Sequence, residues 1–309
     1  MRPDGLWIGQ VAMAALMNVA FAFALGSALL GAWLEKDART AVAPGRPAWL
    51  RAQRSMRAAT IVLLLADLSW LWYEAASMSG SALPAAFGVI PTVLVQTHVG
   101  HAWGVAFAGA VLLLLTALAD HGTLRNALLW LAVIVVAAGK ASLGHAADAG
   151  VVSAAIGVHT LHVLATGVWG GLVIAAGLSV LPALGASTAR GVLIRTGVQL
   201  SSVSLVAFVF VLATGAFNTA RGSGGSLDVI WTSTWGHVLL LKLALVALAL
   251  LFAAFSRFSA LPRLRRTAST VDAHTVVNLL YFEALAMIGV FVAAAALSHS
   301  VPGFAALVG

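Results

Sequence analysis

The chain has 309 residues, 61% of them hydrophobic and 9% charged, with a mean hydropathy of +1.01. That apolar excess excludes an ordinary water-soluble domain, and the net charge of +7, carried between apolar runs, reads as a determinant of membrane orientation and not as a nucleic-acid surface. With no cysteine, disulfides, thiolate metal sites and Cys-x-x-Cys redox chemistry are excluded, so soft-metal handling falls to His, Met and carboxylates.

A helix that crosses a hydrocarbon layer of about 30 Å needs roughly 20 apolar residues. Eight stretches predict such helices: Trp7 to Trp33, Arg57 to Ser77, Pro91 to Ala119, Asn126 to Ala146, Ser153 to Leu181, Val198 to Ala220, Gly236 to Phe258 and Val276 to His299. The first is long and preceded by Asp4, so it is expected to stay as a span and not to be cleaved as a leader. The connection after it carries Lys36, Arg39, Arg46, Arg51 and Arg54, with Arg57 just beyond, and is assigned to the cytoplasm; Pro44, Gly45 and Pro47 mark it as an irregular loop. Arg125, then Arg190 and Arg195, then Arg257, Arg263, Arg265 and Arg266 fall to the next three connections on that side, while the opposite ones hold chiefly Arg221. The expected fold is an all-α polytopic membrane helical bundle, one membrane domain over 1–309. It has eight transmembrane helices, and both termini lie on the far side, the periplasm of a bacterial cell. Trp7, Trp231 and Trp235 at one level, and Trp33 and Trp130 at the other, suit interfacial aromatic belts.

On this topology His98, His101, His145, His159, His162, His237 and His299 all fall at the periplasmic rim. Histidine is rare inside bilayers and neutral imidazole is the commonest protein ligand for transition metals, so the rim reads as a metal entrance. His98 with His101, and His159 with His162, sit at i and i+3 and share one helical face, so each pair could chelate from one helix. A lone histidine at a helix end is more often an interfacial hydrogen-bonding residue, the reading preferred for His237 and His299. His121 and His274 are expected to be solvated in cytoplasmic connections.

The chain resembles the bacterial copper-resistance D proteins. The resemblance is carried by Gly144-His145-Ala146, Leu161-His162-Val163-Leu164-Ala165 and Trp169-Gly170-Gly171-Leu172. Beyond these come Thr214-Gly215 at the end of the sixth helix, Gly236 with Leu239, Leu240 and Lys242 on the seventh, and Glu283 on the eighth. It is best from about residue 139 onward and rests mainly on hydropathy over the first 90. Two positions depart from the family pattern: His237 stands where Arg is usual, and Ser256 replaces the usual Asn before Arg257. The resemblance implies copper uptake across the inner membrane and a periplasmic copper chaperone of the copper-resistance C type as partner, beside the lipid bilayer.

Copper, as Cu(I) or Cu(II), also fits nitrogen ligands on physical grounds, although zinc or nickel would accept such a cluster. Met13 and Met17, at i and i+4 on the first helix, form a candidate thioether pair below the entrance, with core packing as the commoner role for such spacing. Asp67 in the middle of the second helix, Glu74 near its periplasmic end and Glu283 about two turns in from the cytoplasmic side are candidate steps of an ion path; structural pairing with Lys140 or Lys242 is the competing reading. No phosphate-binding loop and no nucleophile with a positioned base are recognisable, so neither ATP-driven pumping nor an enzyme is predicted. Two further readings stay open: a b-type haem electron-transfer protein, with histidines of facing helices as axial ligands, and an assembly protein that hands copper on without transporting it.

Overall fold

The computed structural model describes residues 4–120, 122–144, 150 and 153–303. In chain order the α-helices are α1 (Gly5–Leu34), α2 (Arg46–Ser79), α3 (Leu83–Ala86), α4 (Ile90–Gln96), α5 (His98–Leu118), α6 (Thr123–Ser142), α7 (Ala154–Ala175), α8 (Arg190–Ser223), α9 (Asp228–Thr232), α10 (Thr234–Phe255), α11 (Leu261–Thr267) and α12 (Thr270–Ser298), with no strand among the described residues. Eight of these, α1, α2, α5, α6, α7, α8, α10 and α12, are long and apolar enough to span a membrane. In hydrocarbon every backbone N–H and C=O must be bonded within the segment, which is why such apolar runs fold as helices.

Polar residues set the ends. Asp4, Thr97, Ser153, Ser233 and Ser269 each accept a bond from a backbone N–H in the first turn of the helix they precede, as at Thr97 Oγ1 with Gly100 N at 2.9 Å. α2 and α8 stop at Gly80 and Gly224, whose φ of 65° and 62° places them in the left-handed region.

Several boundaries differ from the expected ones. α2 and α8 run for 34 residues each, and at 1.5 Å per residue they reach about 51 Å, well past a hydrocarbon layer of about 30 Å. Arg51, Arg54, Arg190 and Arg195 therefore ride on helical extensions rather than in loops, and His274 likewise sits exposed on α12. The third predicted span breaks at Thr97, an extended residue (φ −118°, ψ 148°), so that α4 folds back beside the start of α5. A Cβ on Gly100 would stand 2.1 Å from Val93 O, which shows how closely the two pieces approach. α12 begins at Thr270, which puts Glu283 at mid-helix instead of two turns from an end. Thr214 lies inside α8 and does not end it. Trp235 is buried, packed over Gly222, and is no belt residue.

Contacts between distant residues define two ends of the bundle. At one, Trp7 Nε1 donates to His299 O at 3.0 Å, so the start of α1 meets the end of α12. At the other, Asp37 pairs with Arg195 at 2.7 Å, and Arg57 and Arg125 donate to the carbonyls of Ala117 and Thr116 at 3.0 and 2.9 Å, closing the frayed end of α5. Among the described residues, all Lys and Arg but Lys140, Arg221 and Lys242 belong to this second, basic end.

α7 is the central helix. It crosses α1 where Gly171 meets Ala22 and Gly26: a Cβ on Gly26 would stand 1.9 Å from Gly171 O, and one on Gly171 2.0 Å from Ala22 O. The Trp169-Gly170-Gly171-Leu172 stretch is thus a packing element that lets two backbones touch. α8 and α10 are the least buried spans, α8 leaning on α7 and α10 on α12.

Candidate metal centre

Apolar residues of α7 drive it into the bundle, yet its first turns carry two imidazoles. His159 and His162 lie nearly parallel, ring centroids 6.1 Å apart and planes inclined by 16°, both half-buried. Each is held from α8. His162 Nδ1 is 2.9 Å from Thr214 Oγ1, and His159 Nδ1 is 3.2 Å from Asn218 Nδ2. Gly215 lies against the His162 ring, where a Cβ would stand 3.5 Å from Cε1, an ordinary packing contact.

The tautomer of His162 follows from its partner. Thr214 Oγ1 lies 2.5 Å from Phe210 O, which can only accept, so the hydroxyl gives its hydrogen there and accepts from His162 Nδ1–H. The lone pair of His162 then sits on Nε2. This is how metal-binding imidazoles are oriented by groups behind them. The Asn218 amide can meet His159 with either its NH₂ or its oxygen and so serves either tautomer. The charges of Lys242 and Arg221 lie within electrostatic reach of His159, and that of Lys242 within reach of His162.

The other expected rim residues are placed apart. His98 and His101 are exposed at the start of α5, which packs on α2, α4 and α6, and His101 Nε2 lies 3.1 Å from Val95 O. His237 is exposed on α10. His299 has both ring nitrogens engaged: the Trp70 indole N–H donates to Nε2 at 3.3 Å, so Nδ1 carries the proton and donates to Ala295 O at 2.9 Å. His121 and His145 lie outside the described residues. Among the described residues no group of three or more His, Asp or Glu stands close enough to hold a metal ion. Among the described residues, His159 and His162 are the two of these histidines whose rings stack together, and His145 lies outside them.

The expected inward path also divides. Met17, 2% exposed, and Met13 pack into the apolar cluster around Phe21, Leu63 and Trp70, as core methionines do. Glu74 accepts from Gln10 Nε2 at 2.8 Å and joins α2 to α1. Asp67 is buried in α2, its Oδ2 without a hydrogen-bond partner among the described residues, and Lys140 of α6 lies within electrostatic reach. Glu283, 3% exposed, faces Trp169 far from these two carboxylates in the fold, on the other side of α1 and α7.

Asn218, Ser201 and Ser204 were not evident as site residues in the sequence. The signal was weak: Thr214 and Asn218, four apart on α8, share the face that meets α7, while Ser201 and Ser204, three apart, lie further round the helix.

Eight apolar spans, with α7 central among them, define a multi-pass membrane protein, with a half-buried imidazole pair at the end opposite the basic residues. Residues 4–154 match the family described as Copper resistance protein D-like, N-terminal domain, and residues 194–297 match Copper resistance protein D. The chain belongs to the copper resistance protein D family and is a copper-resistance, transport-related membrane protein. The match over 4–154 brings in the N-terminal part, where the resemblance rested on hydropathy. Residues 155–193, including His159 and His162, lie between the two matches. No curated protein and no solved structure matches the chain. No observation supports the haem reading.

Proposed function

We propose that the protein is a copper permease of the bacterial inner membrane that carries the ion inward. Copper is the cargo, and no chemical step on a substrate is assigned. The basic end faces the cytoplasm by the positive-inside rule, so both chain ends and the imidazole pair face the periplasm. A periplasmic chaperone of the copper-resistance C type would deliver the ion there. His159 and His162 receive it, and Thr214 and Asn218 aim the rings.

The observation that carries this reading is the pair itself. Two imidazoles on one face of a central helix, one with its tautomer fixed so that Nε2 is free, form a site that a family handling copper can use. Cu(I) accepts two nitrogen ligands and is passed on readily when the coordination is that low, and Cu(II) tops the affinity order for nitrogen sites. Lys242 and Arg221 oppose a resident cation at this position, which favours release over storage.

Cytoplasmic copper measured in cells with the protein, without it, and with His159→Ala plus His162→Ala tests the proposal. Accumulation should require the intact pair. Equal cytoplasmic copper in all three, with periplasmic copper changed, would replace transport by handover to a periplasmic acceptor.

A further inference from the structure

Because α8 leans on α7 and α10 on α12, the two outer helices leave a cleft between them, ≈ 240 Å³ in volume. Trp169, Leu280 and Glu283 form its floor, and Leu205, Phe208 and Leu250 stand on its walls. Two polar groups inside it have no use in the imidazole site. Glu283 is 3% exposed, and Ser204 is 8% exposed with its hydroxyl lacking any hydrogen-bond partner among the described residues. A serine in a membrane helix ordinarily donates to the carbonyl one turn back, as Ser202 does to Val198 O at 3.0 Å on the same helix. Ser204 makes no such bond, so its hydrogen and both lone pairs remain for the cleft.

The donor set narrows the ligand. One carboxylate and neighbouring hydroxyls offer no nitrogen or sulfur to copper, and a hard divalent cation would demand six or more oxygens or retained waters. A proton needs one acceptor and one hydrogen-bond partner. The Trp169 side chain is the hydrogen-bond partner of the Glu283 carboxylate, and the Ser204 hydroxyl, which bonds to nothing among the described residues, lines the same cleft and could donate or accept there. Toward the basic end the cleft is lined by Ser201 and Arg257, with Arg257 Nη1 donating to Ser201 Oγ at 2.8 Å and to Ser201 O at 3.1 Å. Arg257 is the one other charged group lining it among the described residues; α7, α8, α10, α11 and α12 contribute only uncharged side chains besides Glu283. Toward the imidazole pair the way is closed by Trp169 against Phe208, edge to face with centroids 5.1 Å apart. From His162 to Trp169 is about 10 Å along α7, at 1.5 Å per residue.

We propose that Glu283, which shares the α8–α10 cleft with the unbonded Ser204 hydroxyl, is a proton-binding station reached from the basic end through that cleft, and that copper movement past Trp169 and Phe208 is coupled to its occupancy. The proton is taken from water at the basic end and returned to it, so no other reactant is needed. The coupling rests on the transport reading above, whereas the station does not.

Infrared difference spectra of the whole protein in lipid, recorded between acid and alkaline pH, should contain the C=O stretch of a protonated carboxylic acid that is lost in Glu283→Gln and displaced in Ser204→Ala. In proteoliposomes, an imposed pH gradient should change the initial copper flux several-fold in the native protein and leave Glu283→Gln flux unmoved. A band unaltered in both variants would overturn the station, and a flux in Glu283→Gln that still follows the gradient would overturn the coupling. Should Glu283→Gln not fold, the Ser204→Ala band shift decides alone. A titrating Glu283 band in a protein with no copper flux under any gradient would sustain the station and remove the transport reading.

Discussion

Thr214 fixes which nitrogen of His162 can bind an ion. The two side chains meet at 2.9 Å across the α7–α8 contact, and the threonine hydroxyl is already committed to Phe210 O. Thr214→Val keeps the shape and removes the acceptor, so copper affinity should fall by about 10–100-fold, the usual cost of losing such a supporting bond. Thr214→Ser should restore most of it. Competition against a chelator with purified protein measures both; equal affinity in the native and Val forms would remove His162 as an Nε2 ligand.

His299 sits at the same end of the bundle and should behave differently. Its Nε2 accepts from Trp70 and its Nδ1 serves Ala295 O. His299→Ala is expected to leave copper affinity within about twofold while lowering thermal stability, since it deprives the indole N–H of the buried Trp70 of its partner at a cost of about 1–3 kcal/mol. His162→Ala should show the reverse pattern, with affinity lost and melting little changed.

The crossing of α1 and α7 admits no side chain at Gly171. Even alanine would bring a Cβ to 2.0 Å from a backbone oxygen, which can be relieved only by moving a helix. Gly171→Leu should cost more than the roughly 1–3 kcal/mol of ordinary overpacking, with loss of the monodisperse species in size-exclusion chromatography. Gly157→Ala, at an open position on the same helix, is the control.

Asp67 and Lys140 should prove coupled. Removing Lys140 takes away a cation within electrostatic reach of the buried Asp67, so each single variant should lower stability and the double variant Asp67→Asn, Lys140→Met should recover part of that loss. Melting temperatures of the four proteins close the cycle. Additive losses would show that the two groups do not see one another.

The absence of native cysteine allows the sidedness to be read directly. Arg39→Cys at the basic end and Leu227→Cys near the start of α9 are both exposed. In intact cells stripped of the outer membrane, an impermeant maleimide should label Leu227→Cys and spare Arg39→Cys. The opposite pattern would invert the proposed direction of transport.

The spans were legible because hydrophobic length is a one-dimensional property that the bilayer enforces on each helix separately. The ends were less so. Arg190 and Arg195 read as loop residues because charge was taken to stop a span, but a helix leaving the membrane keeps its backbone bonds and needs no break. The fold of α4 onto α5 hid in Thr97, whose side chain caps a new helix inside an apolar run and gives no hydropathy signal. For the site, the i, i+3 spacing correctly put His159 and His162 on one face, as a local rule can. Which face that was, and that Thr214 and Asn218 would stand opposite, depends on how α8 leans on α7. Depth along the membrane can be estimated by counting residues; azimuth around a bundle cannot. That is why histidines sharing one level, such as His98 and His159, stand against different neighbours.

The cleft between α8 and α10 opens sideways, with Leu205 47% and Phe258 77% exposed at its lips. Whatever surrounds the protein is therefore in direct contact with the approach to Glu283. A detergent tail lodged between those lips would occupy the same space as the groups that must exchange there, so extraction chemistry becomes an experimental variable in its own right. Acyl-chain length and saturation should then tune turnover without touching a single ligand.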